Sequence, residues 1–516
     1  MTSRWQAAIA GTLAAGTALA VTELATAPGN RGPSLISAVG SRFIDRFGGS
    51  LKDFAVSVFG TNDKPALIAG IVVTCLILGA ALGIASRERR IVGMAGISAI
   101  AAFGLWAGLV DPLASPPRMV LGALFGAIAG ILALVGLLRV AERPTASTVD
   151  VTRRRIEDPR VKMASRRAFL GMAGVTAAFA VTASGVARSL RSTATAARER
   201  VALLLPAAKR VVNPPATQPF TVDGLTPYIT SNDDFYRIDT ALTVPQIDPS
   251  GWTLKITGMV DNPLSITFDE LIAMDMVEEP ITMQCVSNEV GGDLIGTAMW
   301  RGVPLIDLLS RAGVHPDATQ IVGRSVDGFT AGFPTEKVLD GRSALVVVGM
   351  NGEPLPASHG FPARLVIAGL YGYVSATKWL RELQLTRLED FDGYWISRGW
   401  AKDGPIKTQS RIDVPRSGGT VVAGAVTIAG VAWAPTRGIA LVEVRLDGGE
   451  WVEARLGEAA SDNTWVQWMS PWEATPGDHV ISVRATDSTG AVQTDKRSAP
   501  DPDGATGHHQ RRVSVR

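Results

Sequence analysis

Cys285 is one of only two cysteines in the chain, and its surroundings could do chemistry. It stands in Thr282-Met283-Gln284-Cys285-Val286-Ser287-Asn288-Glu289, just after a strand-like stretch, whereas Cys75 lies inside an apolar run. Placed so differently, the two do not read as a disulfide pair. A lone thiol in a soluble domain is a buried small residue, a nucleophile or a soft metal ligand. Two further polar groups accompany it. One is Asn232-Asp233-Asp234-Phe235-Tyr236-Arg237. The other runs from Asn351-Gly352-Glu353-Pro354-Leu355-Pro356 through His359-Gly360-Phe361-Pro362-Ala363-Arg364 to Ser375-Ala376-Thr377-Lys378-Trp379-Leu380. It puts a histidine, an arginine and a lysine on Gly- and Pro-rich loops at the ends of apolar strands, where binding groups concentrate. Such cations, with backbone amides bared by glycine, can hold a phosphate dianion. Taken singly, each of these residues reads as ordinary turn chemistry.

The elements that must position them fall in a mixed region. Strand-like runs are expected at 252–260, 280–286, 319–326, 344–350 and 364–368, and helices at 267–275 and 303–313. No βαβ repetition occurs, so residues 221–410 are expected to form an α+β domain. From 411 to 516 the texture changes. Val442, Val444 and Leu446 alternate with charged residues, Asp447-Gly448-Gly449 turns the chain, and Ile481, Val483 and Ala485 alternate again. This predicts an all-β, immunoglobulin-like sandwich without cysteine, a module that binds or dimerises and shows no chemistry of its own. Residues 191–220, small and proline-bearing, are expected to be a linker.

Residues 1–190 are different in kind. Apolar runs at 66–85, 92–110 and 119–138 are long enough to cross a bilayer, and weaker ones lie at 6–22 and 168–187, five spans in all. Arg87, Arg89 and Arg90 follow the second span. A basic segment from Arg139 through Arg153, Arg154 and Arg155 to Arg167 precedes the fifth, and loop 111–117 has no basic residue. The positive-inside rule puts both basic loops in the cytoplasm and everything after the fifth span outside. Apolar residues from Ile36 through Phe43 and Phe47 to Val58 keep helical spacing, which predicts an amphipathic helix on the outer membrane face or against the spans. Ser165-Arg166-Arg167-Ala168-Phe169-Leu170 before the last span is similar to a twin-arginine export signal. Ala194-Thr195-Ala196 is a weak cleavage site, so the span is read as a retained anchor. The net charge of +2 gives no reason to expect nucleic acid.

The ordered motifs together carry a resemblance. The aromatic-Arg segment at Phe235-Tyr236-Arg237, the lone Cys285, NGEPLP…HGFPAR, YGYVSATKWL and Tyr394-Trp395-Ile396-Ser397-Arg398-Gly399-Trp400 resemble the sulfite oxidase family of molybdenum enzymes over residues 225–516. Ala432-Trp433 and LDGGEW resemble that family's C-terminal dimerisation domain, which implies a homodimer. The resemblance implies a molybdopterin cofactor with Cys285 as the molybdenum ligand, and pterin and phosphate contacts at Asn232, His359, Arg364, Ser375 and Lys378. Arg237 matches a catalytic arginine, with Ile238 and Asp239 in place of the family's Asn-His. Other departures bear on substrate. Glu289 and Val290 follow Asn288 where sulfite oxidases carry arginines, and Phe329 stands where they carry a tyrosine. The implied reaction is oxygen-atom transfer on sulfite or on a sulfur or nitrogen oxide, in either direction.

Electrons must come from or go to a partner. The histidines lie at 315, 359, 479, 508 and 509, none in the apolar region, and no Cys-x-x-Cys-His run occurs, so a haem of this chain's own is not expected. An external cytochrome or membrane redox subunit is implied. Two other readings stand beside this one. Cys285 and His359 could serve a cysteine hydrolase or transpeptidase. The chain could also be a non-catalytic anchored protein that binds partners through its sandwich.

Overall fold

The computed structural model describes residues 2–27, 32–47, 63–142, 159–190, 203–216, 220–416 and 418–516. It divides into two compact units, 1–195 with 240–246, and 196–239 with 247–516.

The first unit is helical: α1 (Arg4–Thr26), α2 (Leu35–Phe47), α3 (Asp63–Ala85), α4 (Arg90–Val110), α5 (Pro116–Glu142) and α6 (Pro159–Leu190). All but α2 contain a stretch long and apolar enough to cross a membrane, five among the described residues, as the apolar runs predict. The least apolar of them, α1, is also the most enclosed. Of its apolar window 44% is buried inside the unit, against 11% for α3. It faces protein where the others face outward, so small residues replace large ones. A Cβ on Gly11 would run into the Gly79 carbonyl, and one on Gly83 into the Ala7 carbonyl. Such small-residue seams let helix backbones approach closely where no hydrophobic force drives them together. Thr22 Oγ1 donates to the Gly122 carbonyl at 3.1 Å across the seam with α5.

One end of the unit gathers charge. Arg87 donates to the Thr2 carbonyl, and Arg90 pairs with Glu142, so the start of α1, the α3–α4 turn and the end of α5 meet there. Helix α2 accounts for the amphipathic spacing from Ile36 to Phe47; the continuation through Leu51 and Val58 lies outside the described residues. Leu35 is buried in a cluster with Met119 and Ala123 of α5, so α2 packs on the spans at its N-terminal end. Phe169, within the arginine-pair segment, is fully buried edge-on against Trp5. The candidate cleavage site and most of the basic segment 143–158 lie outside the described residues.

Among its described residues the second unit carries four sheets. The first orders its strands Arg210–Val211, Val277–Gln284, Ile295–Pro304, Ala344–Met350, Arg364–Ile367, with Glu353–Pro354 hairpinned onto Ala344–Met350. The second orders Leu264–Thr267, Thr253–Gly258, Leu380–Thr386, Gln320–Ser325, Thr330–Pro334. Helices Phe268–Ile272 and Leu305–Ala312 fall where expected. Leu254, Ile256 and Leu383 of the second sheet share a core with Val303, Val346 and Leu365 of the first. The other face of the first sheet buries Ile281, Trp300, Val347 and Val366. Covered on both faces, Ala344–Met350 is apolar at every position and stands out in sequence.

Strand Ile295–Pro304 is hidden by its polar and small residues. A Cβ at Gly302 would press on the backbone of Val346 and Val347, so the small residue follows from close approach. Within 191–220, read as a linker, Arg210–Val211 adds a parallel strand to Val277–Gln284.

Beyond residue 408 two sheets enclose one core of Ile412, Ile428 and Trp468 from one side and Val442, Ile481 and Val483 from the other. The hairpin after Ile439–Leu446 turns at Asp447 and Gly448, both at positive φ (49° and 74°), the conformation its Asp-Gly pair is suited to.

Candidate active site

Strand Val277–Gln284 pairs with Ile295–Pro304 up to Gln284 opposite Ile295, so residues 285–294 form the loop of a hairpin, with Cys285 at its first position. The loop is tied internally. The Asn288 amide N–H donates to the Cys285 carbonyl at 3.0 Å, the Cys285 N–H to the Leu294 carbonyl at 2.9 Å, and the Leu294 N–H to Asn288 Oδ1 at 2.8 Å. The Cys285 side chain is buried.

The loop is also held from the C-terminal sandwich. Trp433 Nε1 donates to Gln284 Oε1 at 2.8 Å, and Arg411 donates to the Gly292 carbonyl at 2.9 Å. Gly291, at φ +79°, leaves no room for a Cβ beside the His509 ring. The sandwich, expected to show no chemistry of its own, thus helps position the cysteine loop.

The third polar group closes around the same place. Asn351 and Gly352, at φ 51° and 82°, make the tight turn out of Ala344–Met350. The Asn351 amide donates to Asn232 Oδ1 at 2.9 Å, which ties the first polar group to the third. His359 Nε2 lies 3.1 Å from the Asn232 carbonyl; a carbonyl only accepts, so that nitrogen carries the proton. Burial, reinforced by the nearby Arg364 charge, pushes His359 down to about 4, leaving it neutral.

Arg364 starts strand Arg364–Ile367 and is 5% exposed. It donates to the His359 carbonyl at 3.1 Å and lies 5.1 Å over the Trp300 ring, and burial lowers it to about 10. Among the described residues no carboxylate pairs with it. A buried guanidinium without a counter-charge is costly, and an anion would relieve it. The Asn288 Nδ2 is likewise buried and without a partner among the described residues.

Lys378 is buried, and burial lowers it to about 8 against the pull of Asp239. Its Nζ donates to Asp239 Oδ2 at 2.7 Å and to the Ser358 carbonyl at 3.2 Å, and lies 4.8 Å from the centre of the Trp379 ring. Trp379 holds φ at +50°, uncommon for a bulky residue, with its Nε1 bonded to the Ala357 carbonyl. The same Asp239 oxygen accepts from Arg237 Nε at 2.9 Å. Ser375 is buried on the turn Gly372–Ser375, its hydroxyl donating to the Tyr371 carbonyl at 3.1 Å.

Two bonded groups result, Asn351 with Asn232, His359 and Arg364, and Arg237 with Lys378 through Asp239, and they are near enough for the Lys378 and Arg237 charges to act on His359. Ser375 stands a turn before Lys378 with its hydroxyl engaged locally. Sequence reasoning passed over Asp239 as a mere departure from pattern, although an acid two residues after an arginine is a pairing signal. It also passed over Tyr236. That phenol is pushed well up by burial, then by the charge of Cys285, with Arg364 acting oppositely, so it stands within electrostatic reach of both. Phe329 packs 5.7 Å from Tyr394 at the turn after Gln320–Ser325.

A buried cation with no anion and a buried amide with no acceptor among the described residues, together with a buried thiol on a restrained loop, fit an anionic group with many acceptors and a soft centre.

Residues 241–395 match the oxidoreductase molybdopterin binding domain. Mitochondrial sulfite oxidase of Homo sapiens is 30% identical over 317 residues, 52% of this chain and 58% of that protein. The chain therefore spans less than two thirds of the length of such relatives. The uncharacterized oxidoreductase YuiH of Bacillus subtilis (strain 168) is 33% identical over 153 residues, 30% of this chain and 74% of that protein. Among solved structures, the sulfane dehydrogenase SoxCD from Paracoccus pantotrophus is matched over 59% of this chain and 88% of that chain, with TM-score 0.49 and 24% identity.

Proposed function

The chain belongs to the sulfite oxidase family of molybdopterin oxidoreductases, and from that premise we propose that it is a membrane-anchored oxygen-atom-transfer enzyme. The observation that carries the proposal is Arg364, a guanidinium that burial weakens and that no acid among the described residues compensates, in the neighbourhood of His359, Tyr236 and the Cys285 loop. When bound, the molybdenum cofactor supplies two-electron oxygen-atom transfer. The chain's own part is to hold and enclose it. Cys285 offers the thiolate that ligates molybdenum and is not a nucleophile. Arg364 and Lys378 offer charge to the pterin phosphate, and neutral His359, Ser375 and Asn232 offer hydrogen bonds and shape. Arg237 lies at the more open side, its side chain 38% exposed. The cysteine-hydrolase reading finds no support in His359, whose Nε2 is committed to Asn232 and whose low basicity suits a structural donor.

The substrate is a small sulfur or nitrogen oxide, or sulfite, and electrons pass to or from an external carrier, a cytochrome or a membrane redox subunit. The five apolar helices anchor the chain in the plasma membrane, with the second unit on the extracytoplasmic side by the positive-inside rule. The Arg166-Arg167 pair serves twin-arginine export of a domain already folded around its cofactor. The C-terminal sandwich is read as immunoglobulin-like, and it pairs two chains.

Cys285→Ser tests the reading. Detergent-purified wild type is expected to carry about one molybdenum per chain, with pterin fluorescence after denaturation. The variant should lose the metal-centred spectrum and nearly all oxygen-transfer activity with artificial electron carriers. Wild-type protein without molybdenum would refute the proposal.

A further inference from the structure

Arg237 is the cation that would hold an oxyanion if the substrate were one. Its Nε is bound by Asp239 Oδ2 at 2.9 Å, and the same oxygen takes Lys378 Nζ at 2.7 Å. The Asp239 side chain is only 4% exposed, so its charge acts through poorly screened surroundings. Asp327 stands in the same neighbourhood, pushed upward first by burial and more weakly by the charge of Asp239, which favours its neutral form. Glu289, exposed on the cysteine loop, places a further acid there. With Arg364 and Lys378 assigned to the cofactor phosphate, the cation left for substrate is already compensated.

We propose that Asp239 sets the substrate's charge class: by neutralising Arg237, the cation not assigned to the cofactor phosphate, it turns the site from an oxyanion receptor into one for a neutral S-oxide or N-oxide. The inference rests on the oxygen-transfer reading above and deepens it. In that direction two electrons from the external carrier and two protons convert the oxide to the sulfide or amine, and the oxygen leaves as water. Removing the carboxylate leaves Arg237, the cation not given to the cofactor phosphate, uncompensated and able to hold an oxyanion.

The test uses the full chain in detergent, loaded with molybdenum. Sodium sulfate, which does not react, is titrated calorimetrically into wild type, Asp239→Asn and Asp239→Glu. The Asn variant is expected to bind sulfate at least about tenfold more tightly than wild type, while Glu retains wild-type weakness. In wild type, kcat/KM for dimethyl sulfoxide should exceed that for sulfite and stay flat as ionic strength rises, as a neutral substrate requires. This second measurement stands even if the Asn variant does not fold. Equal sulfate affinity in wild type and Asn variant overturns the role of Asp239. So does a wild-type preference for sulfite that falls with salt. Neither outcome touches the molybdenum reading, which fails separately if purified wild type holds no metal.

Discussion

His359 and His509 show how single residues set the protein's response to acid. Burial is the first cause at both, aided by neighbouring arginines, and it lowers them to about 4 and about 3 from the usual 6.5. The folded state thus binds fewer protons than the unfolded chain below the ordinary histidine range. Their contribution is complete above about pH 6.5 and is lost as pH falls through the folded values, by at most about 1.4 kcal/mol per pH unit for each histidine. The melting temperature is therefore expected to decline between pH 6.5 and 4. His509→Asn keeps an acceptor for the Ile412 N–H, which the imidazole Nδ1 takes at 2.9 Å, and should flatten part of that decline. His479, raised by its surface partner Asp447, has the opposite sign and acts at the upper end of the range. A scan showing the same slope in wild type and variant would remove His509 from this account.

Elements matter most where the cysteine hairpin meets the sandwich. Gln284 precedes Cys285 and is buried, with Trp433 donating to its oxygen and its amide nitrogen 3.3 Å from Gln409 Oε1. Thr282 adds a second seam, its N–H donating to the Asn463 carbonyl and its hydroxyl accepting from the Trp465 N–H. Trp433→Phe keeps the packing but leaves a buried amide oxygen without its donor, a loss of about 1–3 kcal/mol. Denaturant unfolding should register that loss. In cofactor-free protein the loosened loop should also let iodoacetamide alkylate Cys285 faster. Unchanged alkylation with lowered stability would mean that the Arg411 and His509 contacts hold the loop without Trp433.

At the scale of the whole molecule the question is which side of the membrane the second unit occupies. Arg87 bonds the Thr2 carbonyl and Arg90 pairs with Glu142 at one end of the helical unit, the end that the positive-inside rule would put in the cytoplasm on the proposed topology. On the proposed topology, five spans would carry the chain to the other side. Right-side-out membrane vesicles treated with an external proteinase should shed fragments of residues 203–516. Protection of those residues until the membrane is broken would reverse the orientation.

Much of this was legible from the chain alone. Long apolar runs, the burial-hungry strand at 344–350 and the Asp-Gly turn at 447–448 declare themselves by local composition and spacing, because local backbone preference and the need to bury apolar surface act along the sequence, whereas Cys285, His359, Arg364 and Lys378 stand out only through ordered motifs that resemble a known family. What the chain could not declare is which distant groups become neighbours. Asp239 reads as a lost histidine until folding brings Lys378 to it, and Trp433 reads as sandwich core until it meets Gln284. The glycines of α1 and α3 read as dilution until the two backbones touch. Charge compensation and close approach depend on distance in space, and only the folded arrangement sets that distance.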